Sequence, residues 1–213
     1  MIGAVLWDLD GTLVDSSEYH WCAWRDTMAA DGVDITHEQF MQRFGQRNDR
    51  ILTAWLGGSA SSERIRRLGD AKETEYRRLA SVGGVSPLPG AAEWVTRLRA
   101  QGWKQAIASS APRLNIDAMI AALGFGRYVD ASTAAEDVRA GKPDPEVFLK
   151  AAAALGAEPS CCIVVEDVAA GIEAARRAKM KCIGVCATEV LAADIFVRSL
   201  ADLPSDAFES LLK

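Results

Sequence analysis

The chain has 213 residues, 49% hydrophobic and 25% charged, which admits one globular domain or one domain carrying an insert. A formal net charge of -5 and a pI near 5.2 argue against nucleic acid as the main partner. No apolar run approaches the roughly 18 residues a membrane helix needs, and the opening MIGAVLWDLDG has no basic leader.

The expectation is therefore a cytoplasmic protein without a signal peptide or a membrane partner. Five cysteines (Cys22, Cys161, Cys162, Cys182 and Cys186) fit reduced thiols, and no paired spacing suited to zinc appears among them.

In chain order, residues 2–7 form an apolar run expected to be a buried strand. From about residue 16 to about residue 86 the pattern is helical throughout, over 18–30, 37–43, 47–55 and 61–79, with no convincing strand. Residues 82–90 (VGGVSPLPG) resemble a return linker. Beyond it, helical patterns over 91–101, 114–123, 145–155 and 169–178 alternate with strand-like runs at 104–108, 128–131, 161–165, 182–186 and 194–197. Gly102, Gly124 and Gly156 stand as stop signals after three of these helices. The alternation predicts an α/β fold, a parallel sheet covered on both faces, with an inserted all-helical subdomain. The core is expected over 1–15 and 87–213 and the inserted subdomain over 16–86. An insert at that place is expected over the carboxyl ends of the strands, where such sheets bind ligands.

The chemistry concentrates at strand ends. Asp8-Leu9-Asp10-Gly11-Thr12 directly follows the first run. Residues two apart in an extended chain point the same way, so Asp8 and Asp10 can face one pocket. Gly11 permits a sharp turn and Thr12 offers a hydroxyl and an amide. Two such carboxylates can divide labour, one attacking and the other passing a proton. Glu166-Asp167 follows residues 161–165 in the same manner and makes a hard-cation ligand pair, although Asp167 also suits a helix cap. Lys142 lies in Gly141-Lys142-Pro143-Asp144-Pro145, where the prolines hold the ammonium in place. A fixed cation is what a phosphoryl group needs beside a carboxylate nucleophile. Ser109-Ser110 ends residues 104–108, and with Pro112 opening the next helix it offers an anion cradle or, for Ser110, an ordinary N-cap.

These four blocks, in this order across almost the whole chain, resemble the haloacid dehalogenase-like superfamily, and the helical insert resembles the cap of its β-phosphoglucomutase-like branch. The resemblance implies a Rossmann-like core with the insert as its substrate-specificity cap, and an aspartyl-phosphate formed on Asp8. It implies Mg2+ held by Asp8, the backbone carbonyl of Asp10, and Asp167, with Glu166 completing the shell mostly through water. Asp10 would serve as acid and base, and Ser109 and Lys142 would hold the transferred phosphate. Residues 15–24 (DSSEYHWCAW) are similar to the mutase hinge, including His20, and Lys72, four residues before Tyr76, resembles the cap lysine that reaches a second phosphate. Ser16, the loop Gly45-Gln46-Arg47-Asn48 with its arginine shifted by one, and Val168 in place of a serine depart from that pattern. The expected activity is hydrolysis of a small phosphorylated metabolite, a sugar phosphate above all. A β-phosphoglucomutase-type mutase and a non-catalytic phosphate-binding protein stand as alternatives. The acid at position 10 argues against a dehalogenase. Oligomeric state is not legible, and a monomer is compatible with everything above.

Overall fold

The computed structural model describes residues 3–58 and 60–213. The chain divides into two compact units, one of residues 1–15 and 86–213 and the other Ser16–Val85. Among the described residues no helix is long and apolar enough to cross a membrane.

The first unit is built on a six-stranded parallel sheet in the order β3-β2-β1-β4-β5-β6. Its strands are β1 (Ala4–Trp7), β2 (Lys104–Ala108), β3 (Ala131–Thr133), β4 (Cys162–Glu166), β5 (Lys181–Val185) and β6 (Ile195–Val197). Ile2, expected in the first strand, lies outside the described residues. Strand β1 is central, with Trp7 level with Ile107 of β2 on one side and Val165 of β4 on the other. The chain runs outward from β1 through β2 to β3, then returns to place β4 against the other edge of β1. That reversal is the topological switch point at which doubly wound sheets leave a crevice at their carboxyl ends.

The alternation of side chains explains why both faces are apolar. Ala4, Leu6, Ala106, Ala108, Cys162 and Val164 turn to one face and pack with Val147, Phe148 and Ala151 of one helix (Glu146–Ala154) and Ile172 and Ala175 of another (Ala169–Arg177). Trp7 turns to the other face, where its ring lies 5.9 Å from Phe208, and Phe208 lies 5.1 Å from Trp94. The fully buried Gln105 accepts from the Trp7 indole at 2.9 Å, so the polar atoms beneath that aromatic layer are paired.

The strand expected at 128–131 lies instead at Ala131–Thr133. Tyr128 closes a turn onto Phe125, and Asp130 spends its carboxylate on the Gln105 amide and on Arg99, so pairing starts only at Ala131. The helices over Ala91–Ala100, Arg113–Leu123 and Glu146–Ala154 end where the glycines predict, at Gly102, Gly124 and Gly156, all at positive φ. After each, the following residue's amide returns to the last turn, as Phe125 does to Ile120 at 3.0 Å.

Among its described residues the second unit contains four helices, Ser17–Ala30, His37–Met41, Asn48–Leu56 and Ser62–Gly83. Trp24, Met28, Phe40, Ile51, Leu52 and Leu68 form their core. The longest helix runs through Val82 and Gly83, which the sequence assigns to a linker. It stops only at Gly84, at φ 76°, whose carbonyl accepts from the Tyr19 hydroxyl at 2.6 Å.

Candidate active site

The register puts the chemistry at one edge of the sheet. Asp8 follows β1, Glu166 ends β4 one residue past the Trp7–Val165 pair, and Ser109 follows β2. The Asp8 amide donates to the Val165 carbonyl at 2.9 Å, which extends the ladder by one residue and fixes the direction of the side chain. Gly11 then turns the chain at φ 84°, and its amide donates to the Val14 carbonyl at 2.8 Å. A β-carbon at Gly11 would stand 2.8 Å from the Asp167 carboxyl carbon, so the turn needs both the conformation and the missing side chain.

Lys142 reaches this edge from the loop between β3 and the helix Glu146–Ala154. Its peptide bond to Pro143 is cis. Its ammonium lies 2.5 Å from Asp8 Oδ1, pairs on its other side with Glu166, and sits 5.1 Å from the centre of the Phe148 ring. Asp144 accepts from the Glu146 amide at 3.0 Å, which anchors the loop to the helix that follows. Glu166 is wholly buried, and its second oxygen accepts from the amides of Asp167 and Val168 at 2.9 and 3.0 Å. Asp167 accepts from the buried Thr12 hydroxyl at 3.3 Å. It does not cap the helix Ala169–Arg177, whose N-cap is Val168 without a side-chain bond, so the reading of Asp167 as a cap is set aside.

Asp8, Glu166 and Asp167 each bring an oxygen within 4.8 Å of the others. Three carboxylates face one lysine in this buried group. Burial pushes the Asp8 carboxyl up to about 7; Lys142 opposes the rise, and Glu166 and Asp10 add to it. Asp167 is also held well above the usual carboxylate range, first by burial and then by repulsion from Glu166 and Asp8. Burial alone would lower Lys142, but the two carboxylates raise it above its ordinary value and keep it charged. An all-oxygen donor set with more negative than positive charge suits a hard divalent cation. Asp10 is half-buried and bridges to Val14.

The Ser109 hydroxyl accepts from the Ala111 amide at 3.1 Å in a buried position, and Ser110 is half-buried. The next helix begins at Arg113 with Pro112 as N-cap, so Ser110 is not the cap, and Pro112 stands one place before the first turn. The Arg113 amide is already taken by the Glu136 carboxylate at 3.0 Å. The expected cradle of helix-terminal amides is thus partly filled from within. No sequence pattern links Glu136 to that helix.

The remaining candidates lie in the second unit. Lys72 is buried there, 2.7 Å from His20 Nδ1 and 2.8 Å from Glu73 Oε1, and is not a solvated surface lysine. His20 stacks on Tyr76 with ring centres 3.9 Å apart. Asn48 donates to Glu73 at 2.7 Å, while its neighbour Arg47 donates to Asp49 at 3.3 Å. Lys72 and its hydrogen-bonding network hold the Glu73 carboxyl low: burial would raise it, but Lys72, His20 and the Asn48 amide outweigh that. Glu73 is not singled out by the sequence, and Asn48 enters there only as the last residue of the loop 45–48.

Residues 2–179 match the haloacid dehalogenase-like hydrolase family. The chain belongs to that family. Among relatives of this haloacid dehalogenase-like hydrolase, CbbY of Rhodobacter capsulatus is 34% identical over 187 residues, covering 84% of this chain and 82% of the relative. Hexitol phosphatase B of Escherichia coli K12 is 30% identical over 213 residues, covering 94% and 93%. The crystal structure of β-phosphoglucomutase from Clostridium difficile superposes with a TM-score of 0.90 at 28% identity, covering all of this chain and 97% of that one. These likenesses agree with the α/β Rossmann-like core of six parallel strands described above.

Proposed function

We propose that this haloacid dehalogenase-like hydrolase is a Mg2+-dependent phosphatase that removes phosphate from a small metabolite, a sugar or polyol phosphate, through an aspartyl-phosphate on Asp8. The observation that carries the reading is the Asp8–Lys142 contact at 2.5 Å within the buried carboxylate group. The phosphatase name of one relative supports the reaction class and the substrate class.

In this reading Asp8, Asp167 and the Asp10 carbonyl would hold the ion, which would supply positive charge against the phosphoryl oxygens. Asp8 attacks phosphorus as the ester P–O bond breaks, and Asp10 gives its proton to the departing oxygen. A water then attacks the aspartyl-phosphate while Asp10 takes its proton. Inorganic phosphate leaves and the Asp8 carboxylate is restored. Lys142 and Ser109 steady the phosphoryl oxygens in both halves, with Gly11, Thr12 and Ser110 shaping the loops around them. Positioning and charge compensation carry the rate, because the uncatalysed hydrolysis is slow enough to leave room for up to about 10²¹-fold acceleration. Residues 16–86 act as the cap that selects the substrate.

The second reading is a sugar-phosphate mutase, and the second unit favours hydrolysis over it. A mutase must grip a second phosphate, and the candidate cations are Arg47, Arg50 and Lys72. Lys72 already faces Glu73 and His20, and Arg47 is turned to Asp49, so neither of these two charges is held open for a second dianion. Incubation with β-glucose 1-phosphate and Mg2+ separates the readings, with free phosphate expected and glucose 6-phosphate the outcome that reverses the assignment. A panel of phosphorylated sugars and polyols that yields no Mg2+-dependent phosphate above a chelated control would leave a non-catalytic phosphate-binding protein.

A further inference from the structure

We propose that Gly171 is a positioning residue for the active site: its missing side chain makes the room in which Glu166 holds Lys142 and the Asp167–Val168 turn. The inference rests on the reading that the Asp8–Lys142 site is the catalytic one.

Gly171 lies in the first turn of the helix Ala169–Arg177, and its amide donates to the Val168 carbonyl at 3.0 Å. It is not among the glycines at positive φ, so its backbone makes no demand that alanine would fail to meet. Alanine is in fact the better helix former. The demand is for space. A β-carbon at Gly171 would overlap the Glu166 carboxyl group and stand 2.5 Å from its Oε2.

A clash with the tip of a long side chain is ordinarily cheap, because the tip swings away. Here it cannot do so without breaking several contacts. Glu166 is wholly buried, with Oε1 on the Lys142 ammonium and Oε2 on two backbone amides. Any displacement that spares the new methyl group releases Lys142 from one side and frees the turn that presents Asp167. Lys142 is the cation beside Asp8, so a β-carbon at residue 171 is felt at the nucleophile through two intermediates. Gly171 itself touches no reacting atom.

The test is a cycle of Gly171→Ala, Glu166→Asp and the double variant, each followed by thermal melting and by turnover of p-nitrophenyl phosphate with Mg2+. Aspartate is one methylene shorter and draws the carboxylate back from residue 171. Gly171→Ala is expected to melt below the wild type despite its helix propensity and to lose at least about tenfold in kcat. Glu166→Asp is expected to lower kcat in the wild-type background and to raise it in the Gly171→Ala background, with a matching recovery of the melting temperature. An equal fold-loss from Glu166→Asp in both backgrounds overturns the proposal. Recovery of melting without recovery of kcat also overturns it, since Gly171 would then serve packing alone. If Gly171→Ala does not fold, a folded double variant supports the proposal and an unfolded one ends it. A wild type inactive on every phosphorylated compound defeats the phosphatase reading instead, and the melting cycle still decides whether Glu166 needs the space at Gly171.

Discussion

Lys142 Nζ stands 2.5 Å from Asp8 Oδ1, across 134 residues of chain. Both side chains are almost wholly removed from water, and the same ammonium also meets Glu166. A lone lysine there would be driven toward its neutral form, and two lone carboxylates would be driven to bind protons. Together they form a charged group in which one cation is set against more than one carboxylate. Removing any one is therefore an electrostatic event before it is a catalytic one.

Replacement of Asp8 and of Lys142 is expected to separate those two consequences. Asp8→Asn keeps the shape and removes one negative charge from an overcharged group, so turnover of p-nitrophenyl phosphate should vanish while the melting temperature is kept or rises. Lys142→Met leaves Asp8 and Glu166 buried without their cation, and should cost about 3–5 kcal/mol of stability at neutral pH as well as activity. Urea unfolding of the metal-free proteins measures the difference. Equal stability of the two variants would show that Lys142 does not carry the charge balance.

The pH dependence of the metal-free protein follows from the raised Asp8 carboxyl. Its value in the folded chain is about 7 against 3.8 as the ordinary one, so between those limits the folded state holds more protons than the unfolded state. Stability must then fall as pH rises from about 4 to about 7, by at most about 4 kcal/mol from this group. Asp167, raised by burial and by its acidic neighbours, acts in the same direction. Melting in a chelator is expected to be highest on the acidic side of this window, with Mg2+ restoring stability at pH 8. A chelated protein that gains stability steadily from pH 5 to pH 8 contradicts this.

Much of the core and of its chemical edge was legible because both rest on local rules. A buried strand ending in Asp8-Leu9-Asp10-Gly11-Thr12 fixes where the first acids go, and the alternation of apolar runs with helices fixes a parallel sheet. The strand at Ala131–Thr133 was misplaced because Tyr128–Asp130 has the apolar and aromatic look of a strand while its polar groups are used in a turn. Glu73 was invisible for a different reason. Neighbours in a helix do not share a face, so nothing in the sequence pairs Lys72 with Glu73. Their side chains meet at 2.8 Å in a buried setting, with the ammonium 5.1 Å from the Trp24 ring and 5.4 Å from the Tyr76 ring. The space beside Glu166 was equally hidden, since a glycine within a helix reads only as a weak helix former.

Asp10→Asn tests the acid/base assignment apart from ion binding. A backbone carbonyl is unchanged by that substitution, so the Mg2+ concentration for half-maximal effect should hold. The loss of the proton carrier should lower kcat by about 10²–10⁴-fold. In kcat/KM, which reports the transfer to Asp8 and not the later attack of water, the loss should shrink for substrates with acidic leaving groups, because p-nitrophenolate departs without a proton where a sugar alkoxide does not. A uniform loss across both substrate types, accompanied by weakened Mg2+ dependence, would assign Asp10 to metal binding instead.

Lys72 and Glu73 offer the sharpest test of the second unit. Their side chains are 2% and 7% exposed and 2.8 Å apart, with His20 against Lys72 and Asn48 donating to Glu73. Removing only the cation by Lys72→Met should leave the Glu73 carboxylate buried without its lysine, at a cost of about 3–5 kcal/mol. The double variant Lys72→Met with Glu73→Gln removes both charges while keeping volume and the Asn48 contact, and should recover most of that loss. Denaturant unfolding of the wild type, both single variants and the double variant closes the cycle. Strict additivity would mean that the two groups do not depend on each other, and Lys72 would then be free to serve a second phosphate as the mutase reading requires.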